Sequence, residues 1–265
     1  MKTLLNYKAK IDIFFKAINP SLSLNKSWLI SAIVLISVAL ILYGYFIPSS
    51  QIFGKVYFKG NASQKLVALT FDDGPNDPYT SQILDILEQN NARATFFVIG
   101  KNVELYPNTV QQMLKDGDVI GNHSYSHSAN HALSNFGIND MRKGEIAIAA
   151  VAGVKPHLYR PPHGKLTPWE IHYVNRDGMI EVTWTVETRE LSGQSAESEA
   201  QDIINRTKPG DILLLHDGYG TEHGDQHADK TLTVKAVALI VQKLHSEGYT
   251  FVTVPQLLDV KPYLN

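Results

Sequence analysis

The sequence predicts an α/β fold, a (β/α) barrel of about seven strands preceded by one N-terminal transmembrane helix. Three observations carry this expectation. Short β-rich runs alternate with helix-like segments along most of the chain. Parallel strands need long crossovers, and the helix-like segments supply them. Finally, an uncharged apolar run near the N-terminus is long enough to cross a bilayer. A doubly wound open sheet explains the same alternation and is the competing architecture.

The apolar run is Trp28–Ile47. At about 1.5 Å per residue, about 20 residues span the hydrocarbon core. Trp28, Tyr43 and Tyr45 stand near its ends, where amphipathic rings favour the interface. Lys2, Lys8, Lys10, Lys16 and Lys26 precede it against one acid, Asp12; Lys55, Lys59 and Lys65 are the cations between it and the next acids. This bias predicts a short cytoplasmic segment (1–27), a membrane anchor (28–47) and an extracytoplasmic remainder. A cleaved signal peptide is the alternative. The run is longer than a usual signal core, and no small-x-small site follows it. A buried core helix fits less well, because the run has no polar face.

Residues 48–62 read as a linker, with Pro48, Ser49 and Ser50, then Gly54, Gly60 and Asn61. A single globular domain is expected over 63–265. Its strands are expected at Lys65–Phe71, Ala94–Ile99, Asp118–Asn122, His157–Arg160, Met179–Val186, Asp211–Leu215 and Thr250–Val254. Asp77-Pro78 and Thr167-Pro168 each read as an N-cap followed by Pro at the first helical position. Gly117, Gly178 and Gly248 follow helical stretches where a left-handed residue is expected.

The chain of 265 residues suffices for a sizeable core, and its composition is ordinary for a globular protein. A net charge of −2 offers no general attraction to nucleic acid, so no nucleic-acid partner is expected. With no cysteine, disulfides, thiolate nucleophiles and Cys-type zinc sites are excluded. Any metal must be held by His, Asp or Glu.

Polar residues gather at the C-terminal ends of the expected strands. Asp72 and Asp73 follow the first, and His123 and His127 the third. Arg160, then Glu187 and Glu190, then His216 and Asp217 follow later ones. A barrel opens all these ends on one face, where active sites sit. His123 and His127, four residues apart, share a face if their segment is helical, which is zinc-ligand spacing. Alone, such a pair is more often a surface or satisfied polar pair. Asp73 adds a carboxylate, and two His with one carboxylate leave a fourth position open, the catalytic pattern. A metal there lowers the pKa of bound water and polarises a carbonyl. Adjacent Asp72 and Asp73 also fit an Asx turn before Gly74-Pro75, although that explains one carboxylate better than two. The loop after His216 holds Glu222, His223, Asp225, His227 and Asp229; it reads as a solvated, substrate-side loop, with a second metal site as the alternative.

Four segments together resemble the successive motifs of the polysaccharide deacetylases, carbohydrate esterase family 4. They are Thr70-Phe71-Asp72-Asp73-Gly74-Pro75, His123-Ser124-Tyr125-Ser126-His127, Arg160-Pro161-Pro162-His163-Gly164 and Leu213-Leu214-Leu215-His216-Asp217-Gly218. They occur in the family's order, and the likeness covers 65–258. The resemblance implies a distorted (β/α) barrel and a metal-dependent hydrolase that removes acetyl groups from a polysaccharide. It implies Asp72 as general base, oriented by Arg160, and Asp73, His123 and His127 as ligands of Zn²⁺ or another divalent ion such as Co²⁺, Ni²⁺ or Mn²⁺. It further implies the His163 backbone N–H as an oxyanion donor, His216 as general acid, and Leu214 as part of the acetyl-methyl pocket.

Two positions depart from the family pattern. His163 stands where the family commonly has Tyr. The fourth motif, usually Asp-x-x-Asp-Trp, reads Glu187-Thr188-Arg189-Glu190-Leu191, which puts in doubt the pairing of its second acid, Glu190, with His216. The resulting expectation is an N-deacetylase of a GlcNAc-type polysaccharide, anchored in a membrane and acting outside the cytoplasm. The alternatives are an O-deacetylase and a catalytically weak glycan-binding or envelope scaffold protein.

Overall fold

The computed structural model describes residues 26–188, 194–220 and 229–264. Helix α1 is Lys26–Phe46, and Trp28–Phe46 is long and apolar enough to cross a membrane, with a mean hydropathy of 2.4.

From Tyr43 onward the chain forms one compact unit. Its sheet has nine strands among the described residues, and every pairing between them is parallel. The strands are β1 (Val56–Tyr57), β2 (Leu66–Asp72), β3 (Ala94–Val98), β4 (Val119–Asn122), β6 (Leu158–Tyr159), β7 (Ile180–Val182), β8 (Val186–Glu187), β9 (Ile212–His216) and β10 (Thr250–Phe251). Their order is β1-β7-β6-β4-β3-β2-β9-β8, with β10 paired to the start of β2. A small antiparallel pair, β5 (Lys155–Pro156) with β11 (Tyr263–Leu264), lies apart from it.

The strand β2 reads Leu-Val-Ala-Leu-Thr-Phe-Asp and is buried almost throughout, as a strand covered on both faces must be. Val67, Leu69 and Phe71 pack outward with Ile83 and Leu87 of α2 (Tyr79–Gln89) and with Val237, Ile240 and Leu244 of α8 (Thr231–Ser246). Ala68 belongs instead to a second cluster with Phe97, Leu158, Val182 and Ile212, the packed interior of the curled sheet. Truncating Phe71, which is fully buried and stacked on Phe96 at 5.1 Å, should cost about 3–5 kcal/mol.

The run Met179–Val186, expected as one strand, is two. Its first half, β7, pairs β6 and β1; its second half, β8, pairs β9 on the opposite edge of the sheet. Three residues, Thr183 to Thr185, carry the chain between the edges. The Thr183 N–H bonds the Tyr57 carbonyl on one side, and the Thr185 N–H bonds the Ile212 carbonyl on the other. One bent segment thus bridges a sheet that would otherwise stay open, and the barrel is distorted for that reason. Residues 48–62, read as linker, contain β1, whose Val56 is buried, and Pro48 accepts a bond from Thr183 Oγ1.

The remaining helices are α3 (Gly100–Leu105), α4 (Pro107–Asp116), α5 (Ser134–Ala152), α6 (Pro168–Arg176), α7 (Ala196–Arg206) and α9 (Val254–Leu258). Thr167 caps α6 by accepting from the Glu170 N–H at 3.2 Å. Helix α2 starts one residue later than expected, at Tyr79, yet Asp77 still accepts from the Ser81 N–H at 3.2 Å. Gly117, Gly178 and Gly248 take left-handed φ values of 84°, 78° and 83° at helix ends.

Candidate active site

The C-terminal ends of the strands deliver the polar groups. Asp72 is the last residue of β2, and the sheet register sets it beside His216, the last residue of β9. Asp73 turns out of the strand with φ 74°, a conformation costly for a non-glycine residue. Tertiary bonds hold it there: Asn102 Nδ2 donates to the Asp73 carbonyl at 2.8 Å, and the Ile99 N–H donates to the Gly74 carbonyl at 3.0 Å.

His123 and His127 do not share a helical face. Their segment is a turn in which Ser124 and His127 have φ of 65° and 52°. Asp140 of α5 fixes it, accepting from the Ser126 N–H and Oγ at 3.1 and 2.9 Å. The turn brings both imidazoles to Asp73: His123 Nε2 lies 3.5 Å and His127 Nε2 3.4 Å from Asp73 Oδ1. Three ligand atoms at about 2.0–2.2 Å from a tetrahedral ion are about 3.3 Å apart, so these separations fit such an ion. Asp73 Oδ1 is buried and has no hydrogen-bond partner among the described residues. Asp73, His123 and His127 form the one group of three or more ligand-type side chains, among the described residues, that could hold a metal ion. His123 Nδ1 lies 2.8 Å from the Arg160 carbonyl, which can only accept; Nδ1 therefore carries the proton, and Nε2 presents its lone pair to the site. Burial, helped by His127, holds His123 well below the usual imidazole range, so it stays neutral as a ligand must.

Asp72 contacts the cluster less closely, its Oδ2 being 3.6 Å from His123 Nε2. Its Oδ1 accepts from Arg160 Nη1 at 2.6 Å. Burial raises the Asp72 pKa; the charges of Arg160 and His216 oppose that rise, and Asp73 adds to it. Arg160 is fully buried, yet its charge is well accommodated. It donates also to Thr70 Oγ1 at 2.9 Å and to the Val182 and Thr183 carbonyls at 3.2 and 3.1 Å, and it lies over the Phe97 ring. Those two carbonyls belong to the bend where the chain leaves β7.

Asp72, Asp73, His123 and His127 floor a cavity of about 270 Å³, walled by His163, Trp184, Glu187, Leu214, His216 and Tyr219. His163 has φ 58° in a 3₁₀ turn (Pro162–Gly164) whose Gly164 leaves no room for a side chain against Trp184. Leu214 is buried beside Glu187, which is exposed and ends β8. Glu190 lies outside the described residues, as do Glu222, His223, Asp225 and His227; Asp229 accepts from the Thr231 N–H at 2.9 Å. Sequence reading did not find Trp184, Tyr219 or Gly220 as cavity residues. Trp184 sits in the bend of a run that reads as one strand, and only the bend turns it to the site.

A triad that could hold a metal ion, beside an arginine-held carboxylate at the C-terminal mouth of a distorted (β/α) barrel, is the arrangement of a hydrolase site. The sequence pattern of the polysaccharide deacetylase family matches residues 59–181. A peptidoglycan-N-acetylglucosamine deacetylase of Bacillus cereus is 36% identical over 211 residues, 78% of this chain and 95% of that protein. The chain therefore belongs to the polysaccharide deacetylase family, and it is a deacetylase of that family. The crystal structure of the Bc1960 peptidoglycan N-acetylglucosamine deacetylase superposes with a TM-score of 0.72 at 32% identity, covering 79% of this chain and 95% of that one. A carbohydrate esterase family 4 pseudoenzyme of Bacillus anthracis, BA3943, superposes with a TM-score of 0.68 at 25% identity, covering 77% of this chain and 69% of that one. Shared fold alone thus does not separate active from inactive members.

Proposed function

We propose that this chain is a metal-dependent N-deacetylase of GlcNAc-type polysaccharide, with peptidoglycan the first candidate substrate. The observation that carries the reading is the convergence of His123 and His127 Nε2 on the orphaned Asp73 Oδ1, beside Asp72. A divalent ion such as Zn²⁺, held by these three side chains, supplies an electrophile for the acetyl carbonyl and acidifies water. Asp72 takes the proton of the attacking water, and Arg160 keeps its carboxylate oriented. The His163 backbone N–H donates to the developing oxyanion, and Leu214 receives the acetyl methyl. His216, across from Asp72, protonates the leaving amine, with Glu190 as its expected carboxylate partner. The names of the relatives support an amide of a cell-wall sugar as the scissile group.

In this reading, residues 1–27 are cytoplasmic, 28–47 span the membrane, and the domain beyond 48–62 works outside the cytoplasm. Its support is the uncharged helix and the lysine bias before it. Acetate release from peptidoglycan, chitooligosaccharide and an O-acetylated xylan tests the function. Release from the first two and little from the third is expected. Release from the xylan alone means an O-deacetylase, and release from none means a glycan-binding role.

A further inference from the structure

We propose that the imidazole of His163 is a positioning residue for His127, holding that ligand by ring packing where no hydrogen bond among the described residues does so. The inference rests on the reading of Asp73, His123 and His127 as a metal site.

The two histidine ligands are supported differently. A metal-bound imidazole is normally oriented by a hydrogen bond on its other ring nitrogen. His123 has that bond, from Nδ1 to the Arg160 carbonyl at 2.8 Å. His127 Nδ1 is buried and has no hydrogen-bond partner among the described residues. Its backbone lies in a turn at φ 52°, so no helix fixes the side chain's direction. What surrounds the ring must therefore set its orientation.

Among the described residues the His123 ring lies 4.9 Å away on the metal side, and two further neighbours bear on it. The His163 ring meets the His127 ring edge to face, with centroids 4.5 Å apart and planes at 65°. Gly220 closes on the Nδ1 side, so near that a methyl group at position 220 would overlap Nδ1. His163 is itself held. The His131 ring lies 5.8 Å from it, and His131 is buried, with Nε2 3.4 Å from the Lys165 carbonyl. The turn carrying His163 is seated by Gly164 against Trp184. A flat ring at position 163 is what the contact needs; its nitrogens are not.

Zn²⁺ affinity of the detergent-solubilised full-length protein, measured by competition with a chromophoric chelator, tests this without reference to turnover. His163→Ala should weaken Zn²⁺ binding about 10- to 100-fold, the range for losing a ligand's outer support. His163→Phe should restore affinity to near wild type. Gly220→Ala, which crowds His127 from the other side, should weaken it as His163→Ala does, and it serves as the second probe if His163→Ala does not fold. Unchanged affinity in His163→Ala, or a His163→Phe protein as weak as His163→Ala, overturns the proposal. A wild-type protein that binds no Zn²⁺ overturns the metal reading beneath it.

Discussion

Arg160 Nη1 donates to Asp72 Oδ1 at 2.6 Å, and both side chains are shut away from solvent. The same guanidinium bonds the Val182 and Thr183 carbonyls, so the group that orients the proposed base also secures the bend that closes the barrel. Arg160→Lys replaces a fork by a single ammonium that cannot reach all these acceptors. We expect it to lower activity and thermal stability together. Removing one partner of a buried pair outright costs about 3–5 kcal/mol, and Lys, which keeps the charge but loses the fork, should cost less than that. An Arg160→Lys protein with wild-type melting temperature and rate would refute this linkage.

Asp72→Asn keeps the shape of the side chain and removes its ability to take a proton. Acetate release should fall by at least about 10²-fold. Zn²⁺ content should stay near wild type, because Asp73 and not Asp72 meets both imidazoles within 3.5 Å. Equal loss of metal and activity would make Asp72 a ligand.

Chelation should abolish activity, and Zn²⁺ or Co²⁺ should restore it. His127→Ala should bind metal far more weakly, since it removes one of three donors. Full turnover by protein shown by elemental analysis to be metal-free would end the metal reading.

The acid partner of His216 separates two carboxylates. A carboxylate near His216 raises its pKa and keeps it protonated for the leaving amine. Glu190→Gln should therefore slow amide hydrolysis more than ester hydrolysis and move the alkaline limb of the rate profile to lower pH. Should Glu190→Gln change neither, the partner is Glu187, which shares the cavity with His216; Glu187→Gln should then produce both effects.

Glu181 gives a stability prediction remote from the chemistry. Neither of its buried carboxyl oxygens has a hydrogen-bond partner among the described residues; burial, then Glu170, pushes its pKa well above the ordinary 4.5. Burial raises Glu170 to about 7, against its bonds from Thr167 and Tyr159. The folded protein keeps these protons and the unfolded chain releases them. Stability is thus full below pH about 4.5 and declines as pH rises toward 7, by up to about 1.4 kcal/mol per pH unit for each group. Thermal melts from pH 5 to 8 should fall with pH in wild type and less steeply in Glu181→Gln. Parallel curves would refute the assignment.

Topology has its own test. Protease added outside spheroplasts should reach the C-terminal domain, and carbonate washing should leave the full-length chain in the membrane pellet. A soluble product beginning after residue 45 would show cleavage instead.

The sequence by itself determined the parallel α/β architecture, because buried parallel strands leave largely apolar runs such as Leu66–Leu69, and caps such as Thr167-Pro168 leave local signatures. It also named the polar residues at the strand ends, since order along the chain and residue type carry that information. Tertiary structure alone decided how Met179–Val186 divides. Strand partners are chosen by closure of the whole sheet, and nothing local at Thr183, Trp184 or Thr185 announces the bend. It decided likewise how His123 and His127 meet. Spacing suggested a helical face, whereas left-handed residues at Ser124 and His127, held by Asp140 from 14 residues along the chain, bring both rings onto Asp73. Such strained backbone exists only where distant contacts hold it, so it cannot be read from the residues that adopt it.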